Sequence, residues 1–319
     1  MPDDQPGSPT ESDLTAAALA GLSTMPKRLS PKWLYDEAGS ALFEQITELP
    51  EYYLTRAEAE ILRDNAAELA ALVPEGGALV ELGAGASIKT RALLDAGHQI
   101  SAYVPIDISE EFLLTTAATL RQHYPAIAVE PVVADFTAAP TLPKAVRERP
   151  KVGFFPGSTI GNLAEEEAVA LLTWARDWPG VQAFILGADL VKDEATLVAA
   201  YDDAAGVTAA FNLNLLTRLN REAGADFDPG AFVHEARWMG DRIEMHLVAS
   251  SAQTVTLAGQ RIPFAAGESI HTESCRKYTD ATLAALARAA GWRVETTLTD
   301  GAQRFAVAIL RPGSPDAQP

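Results

Sequence analysis

The run Val80-Glu81-Leu82-Gly83-Ala84-Gly85-Ala86-Ser87-Ile88-Lys89-Thr90 constrains the fold of this chain more than any other segment. It reads as a buried strand that stops at a glycine turn and opens a helix. An open α/β sheet builds a nucleotide-sized crevice in this way, at the carboxyl end of its first strand. The glycines let backbone approach a ligand, and the helix N-terminus offers free N–H groups. A G-x-G-x-x-G fingerprint needs a third glycine at position 88, where this chain has Ile88. The pattern predicts the crevice and argues against a nicotinamide dinucleotide in it.

The rest of the chain supports such a sheet. A helix is expected from Thr55 to about Leu72, then strand Ala78–Leu82, helix Ile88–Leu94, strand Ile100–Ile106 and helix Glu110–Arg121. Strands Val129–Val133 and Val152–Phe155, helix Glu165–Ala175 and strand Ala183–Leu186 continue the alternation. Short apolar strands between amphipathic helices mean a parallel sheet covered on both faces. The alternation then stops. Asp193–Asn220 reads as helix, followed by strands Phe232–Trp238, Arg242–Ala249, Thr254–Leu257 and Ser269–Cys275. Along Arg242–Leu247 polar and apolar residues alternate with period two, as in a half-buried antiparallel strand. A helix at Asp280–Ala290 leads to a hairpin, Trp292–Leu298 and Phe305–Leu310, placed to complete the first sheet.

The expected architecture is α/β: a Rossmann-like sheet interrupted by an inserted α+β domain. The expected divisions are 1–56, a disordered start with the first part of a substrate-binding domain, and 57–192, the sheet domain. Residues 193–278 form the insertion, and 279–319 return to the sheet. Residues 1 to about 12 and the tail from Pro312, rich in Pro, Ser, Asp and Gly, are expected to be disordered.

At 319 residues with near-half apolar content, the chain can bury two lobes. Its net charge of -18 repels phosphate backbones and anionic lipid, so neither nucleic acid nor a membrane surface is an expected partner. The sole cysteine, Cys275, rules out an intrachain disulfide. Five scattered histidines (His98, His123, His234, His246, His271) lack the spacing of a metal site, so no metal is expected. No apolar run approaches a membrane span, and the acidic Met1-Pro2-Asp3-Asp4 is unlike a signal peptide. A cytoplasmic monomer acting on a small molecule is the expectation.

Three features fall at successive strand ends. Gly83 and Gly85 form the turn. Asp107 ends the second strand, 22 residues beyond Gly85, where an acid accepts hydrogen bonds from ribose hydroxyls; a loop or cap aspartate is the plainer alternative. Asp135-Phe136 ends the third, pairing an acid with a ring suited to an adenine. Together these resemble the S-adenosylmethionine site of a class I methyltransferase. The fourth strand runs into Pro156-Gly157-Ser158-Thr159-Ile160-Gly161-Asn162. From spacing alone Asn162 is equally a substrate ligand or the cap of the next helix, with Glu165 completing the cap.

More of the chain is similar to one family. Trp33-Leu34-Tyr35-Asp36, Leu49-Pro50-Glu51-Tyr52-Tyr53-Leu54-Thr55-Arg56, the glycine turn through Lys89-Thr90, Phe155–Asn162, Ala200-Tyr201-Asp202-Asp203 and Thr272-Glu273-Ser274-Cys275-Arg276-Lys277-Tyr278 resemble the histidine-specific methyltransferases of ergothioneine biosynthesis. The similarity spans roughly residues 25 to 311. It implies transfer of three methyl groups from S-adenosylmethionine to the α-amine of L-histidine, giving hercynine and S-adenosylhomocysteine. It further implies that Gly83, Gly85, Lys89, Asp107, Asp135 and Phe136 contact the cofactor. Tyr52, Asn162 and Tyr201 would hold the substrate's amine and carboxylate, Tyr52 and Asn162 orienting the reacting nitrogen. Tyr35, Met245, Glu273 and Cys275 would line the imidazole pocket. Without the family, the tyrosines read as core-edge aromatics, Met245 as packing, Glu273 as a surface acid and Lys89 as a solvated helix residue.

One position departs. Relatives carry an imidazole-binding serine two residues after the pocket glutamate, and here it is Cys275. Side chains alternate along a strand, so Cys275 shares a face with Glu273 and Ser274 does not. A thiol is the weaker hydrogen-bond partner. The same fold acting on another amino acid or an indole-type amine, or as a non-catalytic cofactor-binding module, are the alternatives.

Overall fold

The computed structural model describes residues 11–85 and 87–313. Ala86 of the glycine turn, and the ends at 1–10 and 314–319 where disorder was expected, lie outside the described residues. Residues 11 and 12 already belong to a helix, Glu11–Leu22. In chain order the described strands are β1 (Lys27–Arg28), β2 (Gly77–Leu82), β3 (Ile100–Asp107), β4 (Ala128–Val129), β5 (Val132–Val133), β6 (Lys151–Phe155) and β7 (Val181–Asp189). They continue with β8 (Phe232–Trp238), β9 (Arg242–Ala249), β10 (Gln253–Leu257), β11 (Gln260–Phe264), β12 (Ser269–Arg276), β13 (Trp292–Thr299) and β14 (Phe305–Pro312). Two compact units are formed, one from Arg56–Val191 and the segment beginning at Tyr278, the other from Lys192–Lys277 and the segment ending at Thr55.

The first unit carries one sheet, in the order β13-β14-β7-β6-β2-β3-β4, with β5 also on β3. The strands from β7 across to β4 are parallel, and β13 and β14 add antiparallel at the far edge. The terminal hairpin thus completes the sheet, as the sequence predicted. All six residues of β2 and all five of β6 are buried, which is why these segments read as continuous rather than alternating runs. One layer of core beneath the sheet joins Val80, Val104, Phe184, Leu186 and Leu310 to Leu171, Leu172, Leu283 and Trp292. The chain passes from β2 to β3 on one side and returns to β6 on the other, so the glycine turn lies at the point where strand order reverses. In open α/β sheets that point is the ligand crevice.

The second unit has a four-stranded sheet, β1-β12-β9-β8, and a separate hairpin, β10-β11. Helix Val207–Ala223 packs on β8 and β9 and against helices Glu11–Leu22 and Glu37–Glu48. Leu14, Ala18 and Leu22, four residues apart, are the buried stripe of Glu11–Leu22.

Several expected elements are broken, each at an identifiable residue. The expected strand Val129–Val133 is two short strands, because Pro131 has no N–H to give to the ladder. The helix expected from Thr55 to Leu72 divides into Leu54–Asp64 and Ala66–Ala71 at Asn65, whose side chain turns back to the carbonyl of Ile61 at 2.8 Å. The helix expected over Asp193–Asn220 divides into Glu194–Ala199 and Val207–Ala223. Gly206, at φ +75°, enters a left-handed conformation there, and the Asp203 carboxylate caps Val207 and Thr208 at 3.0 and 2.8 Å. Strand β11 was not anticipated: its turn puts the non-glycine Ala258 at φ +48°, and Pro263 is poor strand chemistry.

Candidate active site

In the first unit the glycine turn is held from below. The N–H groups of Gly83 and Ala84 donate to the Ile106 carbonyl at 2.9 and 3.2 Å, tying the end of β2 to the end of β3. Gly83 and Gly85 take φ +66° and +49°. Chain neighbours aside, no atom of the described residues lies within 4 Å of where a Gly85 side chain would begin, so this side of the turn faces open space. Asp107 accepts from the Gly85 N–H through one oxygen (3.0 Å) and from the Ser109 N–H through the other (2.9 Å). Asp135 caps the turn Phe136–Ala138, accepting from the Thr137 N–H at 2.9 Å. The Phe136 ring meets Phe155 edge-on, centroids 5.3 Å apart. Gly83, Gly85, Asp107, Asp135 and Phe136 therefore gather at the carboxyl ends of neighbouring strands.

Two buried carboxylates that sequence reasoning passed over support this surface. Glu58 is fully buried; both its oxygens accept from the Gly157 N–H at 2.9 Å, and Lys89 Nζ pairs with it at 2.5 Å. Glu58 thus joins the helix after the glycine turn to the loop after β6. Room for it comes from Gly187, where a Cβ would stand 2.3 Å from Glu58 Oε1. Glu81, within β2, accepts from Thr90 and Tyr103, and the Tyr103 hydroxyl also meets Ser87 Oγ at 2.9 Å. Burial pushes the Glu81 carboxyl up to about 8 against the opposing effect of these donors.

Asn162 ends a short 3-10 turn, Thr159–Asn162, in this unit. The capping alternative is corrected here: helix Glu165–Arg176 is capped at Ala164, whose N–H donates to Glu167 at 2.9 Å, and Glu165 is already inside the helix. Leu163 and Ala164 are both extended, at ψ 148° and 156°, so no helix can begin at Asn162.

The second unit collects the remaining candidates. Glu273 and Cys275 lie on β12 with their side chains buried, and Cys275 Sγ donates to Glu273 Oε2 at 3.4 Å. Ser274 turns to the other face and meets His271 Nε2 at 3.0 Å. Met245 is the β9 residue in register with Glu273. Burial lifts the Glu273 carboxyl to about 7, and burial with the neighbouring carboxylate pushes the Cys275 thiol up as well. Tyr52 and Tyr201 are buried and meet edge-on at 6.2 Å. From Tyr52 the rings continue to Phe43 (6.2 Å) and on to Tyr35 (5.6 Å) and Phe211 (6.1 Å). Asp36 caps helix Glu37–Glu48 and binds Asn214 and Arg221, which fixes the chain beside Tyr35. Tyr201 lies in the break that opens the expected helix, and its carbonyl meets His234 Nε2 at 2.8 Å.

Phe43, Phe211 and Lys277 were absent from the sequence candidates. Lys277 had a local signal, being two residues beyond Cys275 in the same alternation. Although the histidines are scattered in sequence, pairing of β9 with β12 brings the rings of His246 and His271 to 5.4 Å.

An open sheet with a glycine turn at its reversal point, acids at the next two strand ends and an antiparallel terminal hairpin defines the class I S-adenosylmethionine-dependent methyltransferase fold. Residues 14–312 match the family described as histidine-specific methyltransferase, SAM-dependent. The chain belongs to this family. It is 46% identical over 300 residues to a histidine N-alpha-methyltransferase of Mycolicibacterium smegmatis, covering 91% of this chain and 92% of that one. Identity to a histidine N-alpha-methyltransferase of Mycobacterium tuberculosis is 44% over 300 residues, with the same coverage. An ergothioneine biosynthesis protein 1 of Neurospora crassa is 34% identical over 206 residues, 62% of this chain and 23% of that protein. No helix among the described residues is long and apolar enough to cross a membrane.

Proposed function

We propose that this enzyme trimethylates the α-amine of L-histidine with S-adenosylmethionine, producing hercynine for ergothioneine synthesis, as a cytoplasmic monomer. The observation that carries the reading is the buried pair Glu273–Cys275 on the strand facing Met245. An ionised carboxylate on this strand accepts an N–H from a ligand, which gives the pocket a reason to choose histidine. Imidazole supplies such an N–H and, unlike indole, can also carry a positive charge near neutral pH to match the acid.

The first unit's residues fit the methyl donor. The space above Gly85 admits a ligand against the backbone, Asp107 and Asp135 offer carboxylates at strand ends, and Phe136 offers a ring. Lys89 would hold the donor's carboxylate while anchored by Glu58. S-adenosylmethionine, when bound, supplies an already electrophilic methyl on sulfur, so the protein needs no covalent intermediate. Its residues must present a neutral amine in line, and holding two reactants in such geometry is worth roughly 7–11 kcal/mol. Tyr52 and Asn162 orient that nitrogen; an α-amine with a reference pKa near 8 needs only a modest downward shift or exchange with water to be neutral. The ring faces of Tyr35, Tyr52 and Tyr201 tolerate the cation as it gains methyl groups.

The test is incubation with S-adenosylmethionine and a panel of amino acids, read by mass spectrometry for successive methyl additions. Histidine alone should gain three. Methylation of tryptophan or another amino acid instead would overturn the substrate, and a protein that binds the donor but methylates nothing would be a binding module. Asn162→Ala should cut turnover sharply; unchanged turnover would remove Asn162 from the reaction.

A further inference from the structure

Strand β12 changes phase part-way along. Ile270, Thr272, Glu273 and Cys275 are buried, while His271, Ser274 and Arg276 are partly exposed, so the alternation slips by one residue between Thr272 and Glu273. The pairing with β9 shows why. His271 lies opposite His246 and Arg276 opposite Arg242, so the six residues 271–276 face the five residues 242–246. Both ends are pinned. Ile270 and His271 also pair with Lys27 and Arg28 of β1, and the Lys277 N–H donates to the Asp241 carbonyl at 2.8 Å. The surplus residue is taken up as a β-bulge, with Thr272 and Glu273 together opposite Met245. Continued from His271 without the bulge, the pairing would set Glu273 against Glu244 and Cys275 against Arg242, and both would leave the face they share with Met245. A side-chain bond clasps the bulge on each face. On the buried face Thr272 Oγ1 donates to the Met245 carbonyl at 3.0 Å. On the other, His271 Nε2 meets Ser274 Oγ at 3.0 Å, although residues three apart in a regular strand point to opposite faces.

We propose that the Thr272 bulge aims Glu273 and Cys275 into the imidazole pocket, and that Thr272 and Ser274, which clasp it, are positioning residues for histidine specificity. The proposal rests on the histidine reading above and adds what fixes the acid in place. Like charge between Glu273 and Glu244 disfavours the straight register, and the two clasps add to that preference. Without a clasp the substrate itself must hold the bulge, and its affinity falls by what the clasp contributed.

The experiment compares the full-length protein with its Thr272→Val, Thr272→Ser and Ser274→Ala variants by two readouts. Cys275, the sole cysteine, reports the phase of the strand through its rate of labelling by a thiol reagent under native conditions. Calorimetry measures binding of S-adenosylhomocysteine alone, and of L-histidine with S-adenosylhomocysteine present. Thr272→Val keeps the shape and loses the hydroxyl. It should label about 2- to 12-fold faster and bind histidine more weakly by a similar factor, the range of one hydrogen bond. Thr272→Ser should restore both, Ser274→Ala should act in the direction of Thr272→Val, and S-adenosylhomocysteine affinity should be unchanged throughout. Wild-type labelling and histidine affinity in Thr272→Val or in Ser274→Ala would overturn the proposal. So would equal losses of histidine and S-adenosylhomocysteine binding, or a Thr272→Ser variant no better than Thr272→Val. Should Thr272→Val fail to fold, Ser274→Ala, at a partly exposed side chain, decides in its place. Should the methylation panel identify another amino acid, the histidine reading fails, and Cys275 labelling still tests the bulge with no substrate present.

Discussion

The packing of Gly187 against Glu58 makes a stringent prediction. Gly187 lies in β7 without a positive φ, so its backbone accepts alanine, and by chain entropy alone the substitution would stabilise by about 0.4–1 kcal/mol. Its Cβ, however, would be 2.3 Å from Glu58 Oε1 and 3.3 Å from the Gly157 nitrogen and the Phe305 ring. The carboxylate must then move by about 1 Å, where packed interiors lack such room. Moving it breaks the bonds to Gly157 and displaces Lys89. A hydrogen bond to a charged group is worth about 1.5–3 kcal/mol and overpacking costs about 1–3 kcal/mol; the two overlap, so Gly187→Ala should destabilise by about 3 kcal/mol. That is roughly a 150-fold change in the folding equilibrium. The assay is urea unfolding of wild type, Gly187→Ala, Glu58→Ala and the double variant. In the Glu58→Ala background the new methyl fills vacated space, and Gly187→Ala should cost less than about 1 kcal/mol, a coupling well above additive scatter. Costs that add across the cycle would refute the steric argument. If Lys89 also holds the methyl donor, calorimetry should show weaker cofactor binding in Gly187→Ala and unchanged histidine binding.

Three further outcomes follow from the buried acids. The Glu273 carboxyl, lifted to about 7, is the stronger acceptor when ionised, so kcat/KM for histidine should rise through an inflection near pH 7, in addition to the rise set by the substrate's own amine. Glu273→Gln should lose that inflection, and an identical pH profile in the variant would remove Glu273 from substrate recognition. Glu81 keeps its proton in the fold up to about 8, against an ordinary 4.5. The folded state thus binds more protons than the unfolded chain between these values, so the stability this group contributes is complete below pH 4.5 and is lost as pH rises through about 8, by at most about 1.4 kcal/mol per pH unit. Urea midpoints from pH 5 to 9 should therefore fall less in Glu81→Gln than in wild type; parallel curves would mean Glu81 is ionised throughout. Cys275→Ser replaces a weak donor with a hydroxyl beside Glu273 and should lower the KM for histidine about 2- to 10-fold, with cofactor affinity unchanged in calorimetry.

What could be read from the residues alone, and what could not, divides by the range of the interactions. Strands β2, β3, β6 and β7 announce themselves because a strand buried on both faces is a near-continuous apolar run, interrupted in β2 by Glu81 and opened in β6 by Lys151. The pairing of Cys275 with Glu273 follows from period two alone. Helix breaks at Asn65 and Gly206 and the strand break at Pro131 were visible as single residues, yet the apolar runs on either side outweighed them. Helix Glu165–Arg176 shows the limit of cap spacing: Asn162 has the chemistry of a cap, but the preceding turn claims it, and Ala164 takes the position by geometry. The supports of the site lie further from local reach. Glu58 meets Gly157 across 99 residues, and Lys277 meets Tyr201 across 76. Each nevertheless leaves a local trace. Glu58 sits among Leu54, Ala57, Ile61 and Leu62, on the buried stripe of its helix, where an acid demands a partner. Gly187, in the middle of a buried strand, marks the close approach of something from outside. A charged residue on an apolar stripe and a glycine inside a strand are separately unremarkable, and their meeting in Glu58 and Gly187 explains both.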